Sequence, residues 1–336
     1  MLQPPPLPRT LEAALRDLRD PSPAVRASAV VDLPRYLDTD RFLVIAALRQ
    51  ALEDPHPTPR ATAATALGEH RVEECVDDLV RLVEDPDTLP GQMALDALGE
   101  IGTEGALRRL RAALRDERPE LRFQAVMALP KRLDDHEADC VLSTGIQDED
   151  EQVRYIALRT AEERWCTPGR APRVQRAARA ALADRVDAVK VAAALLLASW
   201  RDSEGAGVLL KVLEGQVRPS ELQDEIAAVE AAGALGLQEA IPALERRAFG
   251  AARFFRERCS FHARISLARL GHRRAREEIL SGLRAWTRLK RDEAVVAVGK
   301  ARLLEARSAL ESLRERPGRV DPVLLREALE ALDEER

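Results

Sequence analysis

The sequence predicts an all-α chain built from about nine to ten helical hairpins, and three observations carry that reading. A phrase recurs, as "RDPSPAVRASAVVDL" (19–33), "EDPHPTPRATAATAL" (53–67) and "DERPELRFQAVMAL" (116–129). Its turn aspartates, Asp20, Asp54, Asp85, Asp116, Asp148 and Asp184, follow one another at intervals of 34, 31, 31, 32 and 36 residues. A period of that size marks a stacked supersecondary unit. Hydrophobic residues make up 46% of the chain but aromatics only 3%. The apolar content is therefore mainly Ala, Leu and Val, which suits close contact between helices.

Residues 1–9 read as a Pro-rich tail; P-x-x-P is satisfied on Pro5 and Pro8, but the composition is that of a lead-in or a cap. Each unit then opens with a helical pattern, apolar at i, i+3, i+4 and i+7, as in "LEAALRDLR" (11–19), "LVIAALRQALE" (43–53), "VDDLVRLVE" (76–84) and "ALRRLRAAL" (106–114). The Asp-Pro pair is read as the start of the second helix, with Asp as its N-cap and Pro in its first turn. Six residues after the aspartate comes a cation, Arg26, Arg60, Arg122, Arg154 or Lys190; in the third copy Gln92 stands seven residues after Asp85. Seven residues beyond the cation lies a core position, filled by Leu33, Leu67, Leu129, Ala161 and Leu197. Glycines in "ALGEHR" (66–71) and "ALGEIGTEG" (97–105) are read as supplying the positive φ that stops the helix. One hairpin cannot bury its apolar face alone, so neighbours stack, and a polar segment at 311–336 is expected to cap the array.

These units resemble HEAT repeats, most of all the short bacterial form called the phycobilisome-lyase type, over residues 10–310. The resemblance implies a right-handed α-α superhelix whose second helices line a concave binding face. It also implies a ladder between adjacent repeats, which assigns structural roles to Asp20, Arg26, Asp54, Arg60, Asp116, Arg122, Asp148 and Arg154. An Arg fork can bond a neighbouring carboxylate and turn carbonyls at once. The motif is structural and encodes no activity. Two relatives of the fold carry chemistry. HEAT-like alkylpurine DNA glycosylases use Trp-x-x-x-Asp, but the residues four beyond Trp165, Trp200 and Trp286 are Gly169, Glu204 and Lys290. Bilin attachment or removal is the other, and no pigment-binding feature is legible.

The chain lacks the common phosphate loops, H-E-x-x-H and G-x-S-x-G, so no catalytic residue, cofactor or metal is predicted. Cys75, Cys140, Cys166 and Cys259 are too scattered for zinc or a disulfide framework and read as free buried thiols of a cytoplasmic protein. No apolar stretch reaches the roughly 20 residues of a membrane span.

Charge is the remaining signal. The whole chain carries −5, yet residues 246–291 hold fourteen Arg or Lys against three Glu, a net of +11. Phe249, Phe254, Phe255, Phe261 and Trp286 fall in the same window. Here the repeat pattern departs: phasing on "GALG" (233–236) and "ARLG" (268–271) puts Ala228 and Ala263 at the arginine position. Cations interleaved with aromatics suit an anionic surface. The predicted function is a non-catalytic scaffold for another protein, with an acidic peptide or domain bound at Arg253, Phe254, Arg256, Arg258, His262, Arg264 and Arg269. Nucleic acid is the alternative partner, and a membrane is not one.

Overall fold

Twenty α-helices, paired by short turns, make up the computed structural model, which describes residues 9–250, 259–316 and 318–333. The chain divides into two units, one of residues 1–165 and 169–174, the other of residues 166–168 and 175–336. The first holds five hairpins: α1 (Leu11–Asp17) with α2 (Pro23–Asp32), α3 (Arg41–Leu52) with α4 (Pro57–Glu69), α5 (Val76–Leu82) with α6 (Thr88–Ile101), α7 (Glu104–Ala113) with α8 (Pro119–Ala128), and α9 (Asp135–Gly145) with α10 (Glu151–Arg164). α11 (Pro172–Ala181) begins in the first unit and runs into the second. There follow α12 (Asp187–Ser199), α13 (Ala206–Leu213) with α14 (Leu222–Ala234), α15 (Ile241–Phe249) with α16 (Ser260–Arg269), α17 (Arg273–Gly282) with α18 (Arg288–Ala301), and α19 (Arg307–Arg314) with α20 (Pro322–Asp333). Among the described residues there is no strand. The Pro-rich stretch 1–8 lies outside the described residues, as does the Phe-Arg run at 251–258.

Within each unit the second helices pack on one another, α2 on α4, α4 on α6 and α6 on α8 in the first, α14 on α16 and α18 on α20 in the second. Their apolar faces bury the core. Leu33, Leu67, Leu129, Ala161 and Leu197, the periodic positions of the sequence, are all fully buried.

The turn aspartate does a different job from the predicted one. It is not the N-cap: Ser22, His56, Asp87, Arg118, Asp150 and Val186 occupy that position, each two residues later. Instead the carboxylates of Asp20, Asp54, Asp85, Asp116, Asp148 and Asp184 accept the backbone N–H of those cap residues at 2.8–3.0 Å. This local turn bends the chain before the helix begins. Pro23, Pro57, Pro119, Pro172 and Pro322 start helices, and their missing N–H costs nothing at a first position.

The glycines also divide. Gly102 takes φ +72 and ends α6, as the sequence suggests. Gly68 and Gly99 lie inside their helices. A Cβ on Gly68 would stand 2.6 Å from the Ala97 Cα, and one on Gly99 2.9 Å from the Ala128 Cβ. Their role is close approach between neighbouring second helices. The left-handed position after α4 is taken by Arg71.

We expect Gly68→Ala to destabilise the protein by about 1–3 kcal/mol in chemical denaturation, because the backbone of Ala97 cannot retreat without moving α6. Gly207→Ala, where a Cβ meets open space, should be neutral or stabilising by about 0.5 kcal/mol.

Candidate functional site

A repeated ion pair links the turns between paired helices of the first unit. Arg26 on α2 grips Asp54 with Nε and Nη2, at 2.6 and 2.7 Å, while Nη1 bonds the Asp20 carbonyl at 2.9 Å. Arg60 holds Asp85 in the same way at 2.7 and 2.8 Å and bonds the Asp54 carbonyl at 2.7 Å. Arg122 holds Asp148 at 2.9 and 2.8 Å and the Asp116 carbonyl at 2.9 Å. Arg154 bonds the Asp148 and Glu149 carbonyls, both at 2.9 Å. The Arg26, Arg60 and Arg122 rungs thus tie a second helix to its own turn and to the turn of the next hairpin.

The register is fixed: the acceptor lies three residues before each second helix, and the donor three residues after its first residue. This register shows where rungs are altered. The third donor position is Gly91, not Gln92, and Arg118 takes its place. Its guanidinium pairs with Asp116 at 3.0 Å and reaches back to the Val83 and Asp85 carbonyls at 3.2 and 3.3 Å. On α14 the donor position is Glu225 rather than Ala228, which corrects the sequence phasing by three residues. There the polarity is reversed, since Arg247 from α15 binds the Glu225 carboxylate and the Leu213 carbonyl. Beyond Asp184 the acceptor positions read Pro219, Glu257, Ala285 and Arg319, with Glu257 outside the described residues.

Of the predicted partner-binding residues, Arg253, Phe254, Arg256 and Arg258 lie outside the described residues. His262 and Arg264 are on α16, and Arg269 ends it. His262 Nδ1 lies 2.8 Å from Glu230 Oε1 on α14, and Lys300 Nζ from α18 lies 3.0 Å from the same oxygen. Arg269 donates through Nε to the Lys300 carbonyl at 2.7 Å. Burial pushes the Glu230 carboxyl up, but the His262 and Lys300 hydrogen bonds outweigh it and hold the carboxyl below its ordinary value. These residues form a linked cluster across three second helices. Arg264 stands apart from them.

Much of the basic window is neutralised in place. Arg273 and Arg274 pair with Glu277 and Glu278 one turn on, Arg276 with Glu305, and Arg288 with Asp292 and Asp321. Arg274 also lies over the Phe249 ring at 4.1 Å. Arg264 and Lys290 make no ion pair among the described residues. Both line a cleft of about 290 Å³ floored by Phe261, Ile279, Ala294 and Ala297, with Glu278 and Glu293 at its margin. In the turn before α18, Trp286 is 96% exposed and Leu289 on that helix 69%. Sequence reasoning placed Trp286 in the window but gave it no role.

Trp165 and Trp200 are buried, so neither offers a face to a base. Among the described residues no three His, Cys, Asp or Glu are grouped to hold a metal ion. No described helix is long and apolar enough to cross a membrane. Cys75 and Cys259 are buried, Cys140 is half-buried and Cys166 is exposed, which corrects the expectation for the last two.

Comparison with known proteins bears on the repeat first. Residues 45–130 match the family model for HEAT repeats. Residues 45–130 carry HEAT repeats. No curated protein matches the sequence. Among solved structures, YibA of Escherichia coli is similar with a TM-score of 0.55 at 16% identity, over 78% of this chain and 93% of that one. Kap95p, solved with RanGDP, is similar with a TM-score of 0.58 at 11% identity, over 96% of this chain and 52% of that one. The chain thus spans about half the length of Kap95p, and at these identities both likenesses speak for the fold alone. The CpcE–CpcF complex of phycocyanin lyase from Nostoc aligns at 18% identity over all of this chain and 91% of that one, but its TM-score of 0.33 carries no weight.

In these HEAT repeats the rung is a buried, bidentate pair, so its loss is costly. Arg60 and Asp85 side chains are 10% and 6% exposed, and Arg60→Ala should cost about 3 kcal/mol by leaving Asp85 unpaired. The rungs also set the acid limit. The Arg26 hydrogen bond holds Asp54 below its ordinary value of 3.8, and Arg118 does the same for Asp116. Burial pushes Asp85 up, but Arg60 and the Asp87 N–H bring it lower overall. A depressed carboxyl contributes stability above its unfolded pKa and loses it as pH falls through the folded one. Thermal melts should therefore show the melting temperature dropping below about pH 4, and Asp85→Asn should make that drop shallower.

Proposed function

We propose that the chain is a non-catalytic binding platform for another protein, holding an acidic segment against the α16–α18 region of its second unit. The observation that carries this reading is the exposed Trp286 and Leu289 next to a cleft whose Arg264 and Lys290 have no carboxylate partner among the described residues. Phe261 and Arg264 in the cleft and the exposed Trp286 beside it are residue types enriched at the energetic centre of protein interfaces. Arg273, Arg274, Arg276 and Arg288 of the same segment are matched by glutamates or aspartates, whereas Arg264 and Lys290 are not. The repeat architecture supports the reading: stacked hairpins present an extended row of second helices, and Kap95p, of similar fold, binds RanGDP in its own structure. The Glu230–His262–Lys300 cluster braces the second helices behind the cleft, which supports a rigid surface.

The test compares affinity capture by the wild type, by Arg264→Glu/Lys290→Glu and by Arg273→Glu. Arg273 is exposed and already paired with Glu277, so its reversal is the charge control. The reading expects specific proteins retained by wild type and control and reduced about tenfold by the double variant, equivalent to roughly 1.4 kcal/mol. Retention unchanged in the double variant contradicts it. Loss of all retention on nuclease treatment would move the reading to nucleic acid, for which the exposed Trp286 among arginines is the one favourable feature.

A further inference from the structure

The last rung of the ladder is built from two arginines. Its donor position is Arg291, three residues into α18, and its acceptor position is Arg319, three residues before α20 begins. Arg291 is 6% exposed and keeps half of the rung geometry. Its Nη1 bonds the Ala285 and Trp286 carbonyls of its own turn at 2.6 and 2.7 Å, as Arg26, Arg60 and Arg122 bond theirs. Where those three grip a carboxylate with Nε and Nη2, Arg291 has only the Arg319 backbone carbonyl, 2.9 Å from Nε. Its Nη2 has no hydrogen-bond partner among the described residues. The cleft in front of it, about 390 Å³, is lined by Arg284, Arg291, Arg316 and Arg319 and by no acidic residue. The side chains of Arg284, Arg316 and Arg319 make no ion pair among the described residues, and all three are exposed. The open Nη2 is therefore accessible from the cleft, and four guanidinium groups around one cleft repel one another unless an anion lies between them.

We infer that this cleft is a carboxylate-binding site, in which an Asp or Glu side chain of a partner protein completes the open rung. A carboxylate is favoured over other anions because Nη2, the donor left open on Arg291, is the one that takes a carboxylate oxygen of Asp54, Asp85 and Asp148 at the same helix position and against the same turn carbonyls. Arg284, Arg316 and Arg319 then act as a rim that draws acidic sequence toward the single buried fork. The site deepens the platform reading by naming what the second unit recognises, and it rests on that reading for the source of the carboxylate.

The probe is a dansyl-labelled, C-terminally amidated hexaglutamate, followed by fluorescence anisotropy on the full chain. The decisive variant is Arg319→Asp, which puts a carboxylate where the other rungs have one. It should close the site from within, weakening the peptide by about tenfold and raising the melting temperature by about 2–4 °C. Arg284→Glu should weaken the peptide without that gain in stability, and Arg273→Glu should change neither. Hexaglutamine with a free C terminus, binding more tightly than its amidated form, would keep the carboxylate site but assign a chain terminus as its source. Peptide bound equally by wild type, Arg319→Asp and Arg284→Glu overturns the inference, as does absence of binding to the wild type. Displacement of the peptide by equimolar inorganic phosphate would overturn the choice of carboxylate. Hexaglutamate binding in a chain that captures no partner would retain the site and contradict the platform, so the two failures are separable.

Discussion

The bidentate contact between one arginine and the aspartate of the next turn is the interaction on which the rest of the structure depends. Each guanidinium of these rungs donates to two turns at once, its own through carbonyls and its neighbour's through a carboxylate. That fixes the spacing of consecutive turns to within a hydrogen bond. With turns held, the second helices approach closely enough that Gly68 and Gly99 have no room for a side chain. The alanine-rich faces then bury Leu33, Leu67 and Leu129 between layers. Hydrophobic burial provides the bulk of the stability, but it is not directional, and the rung is what selects one register of stacking.

The constraint is strong enough that the chain preserves it by substitution. Where Gly91 gives up the donor, Arg118 bonds the carbonyls and the aspartate from the adjoining turn. Where Glu225 replaces an arginine, Arg247 supplies the guanidinium from a first helix. These two exchanges set a standard for judging the last rung. There, no acidic residue lines the cleft in front of Arg291, and the acceptor position itself has become Arg319. Structural repair and an open site are therefore distinguishable by the same geometric test.

The period and the hairpin plan are legible in the sequence because a turn every 30-odd residues, with apolar phase on either side, leaves few alternatives. Finer readings depend on helix starts, which a single sequence locates poorly. Asp20 and Asp54 look like N-caps beside proline, yet Ser22 and His56 cap the helices, and the aspartates close the turn two residues earlier. A slip of three residues hid Glu225 behind Ala228, and a slip of one hid Gly91 behind Gln92. The basic window at 246–291 was visible as charge, but composition could not sort it. Arg273, Arg274 and Arg276 are neutralised by glutamates, Arg291 is a buried rung, and Arg264 and Lys290 line a cleft. Arg316 and Arg319 fall outside that window, so the cleft they share with Arg284 and Arg291 appears only when the hairpins are stacked.

The most direct measurement of the central claim is a double-mutant cycle on one intact rung, Arg60→Met and Asp85→Asn, by denaturant unfolding. Asp85→Asn keeps the turn acceptor for the Asp87 N–H while removing the charge, so the cycle isolates the contact between hairpins. If the rung fixes the stacking, the two substitutions are coupled by about 2–3 kcal/mol. A coupling within about 0.3–0.5 kcal/mol of zero, the scatter of independent sites, would mean that packing alone sets the register and that the ladder merely decorates it.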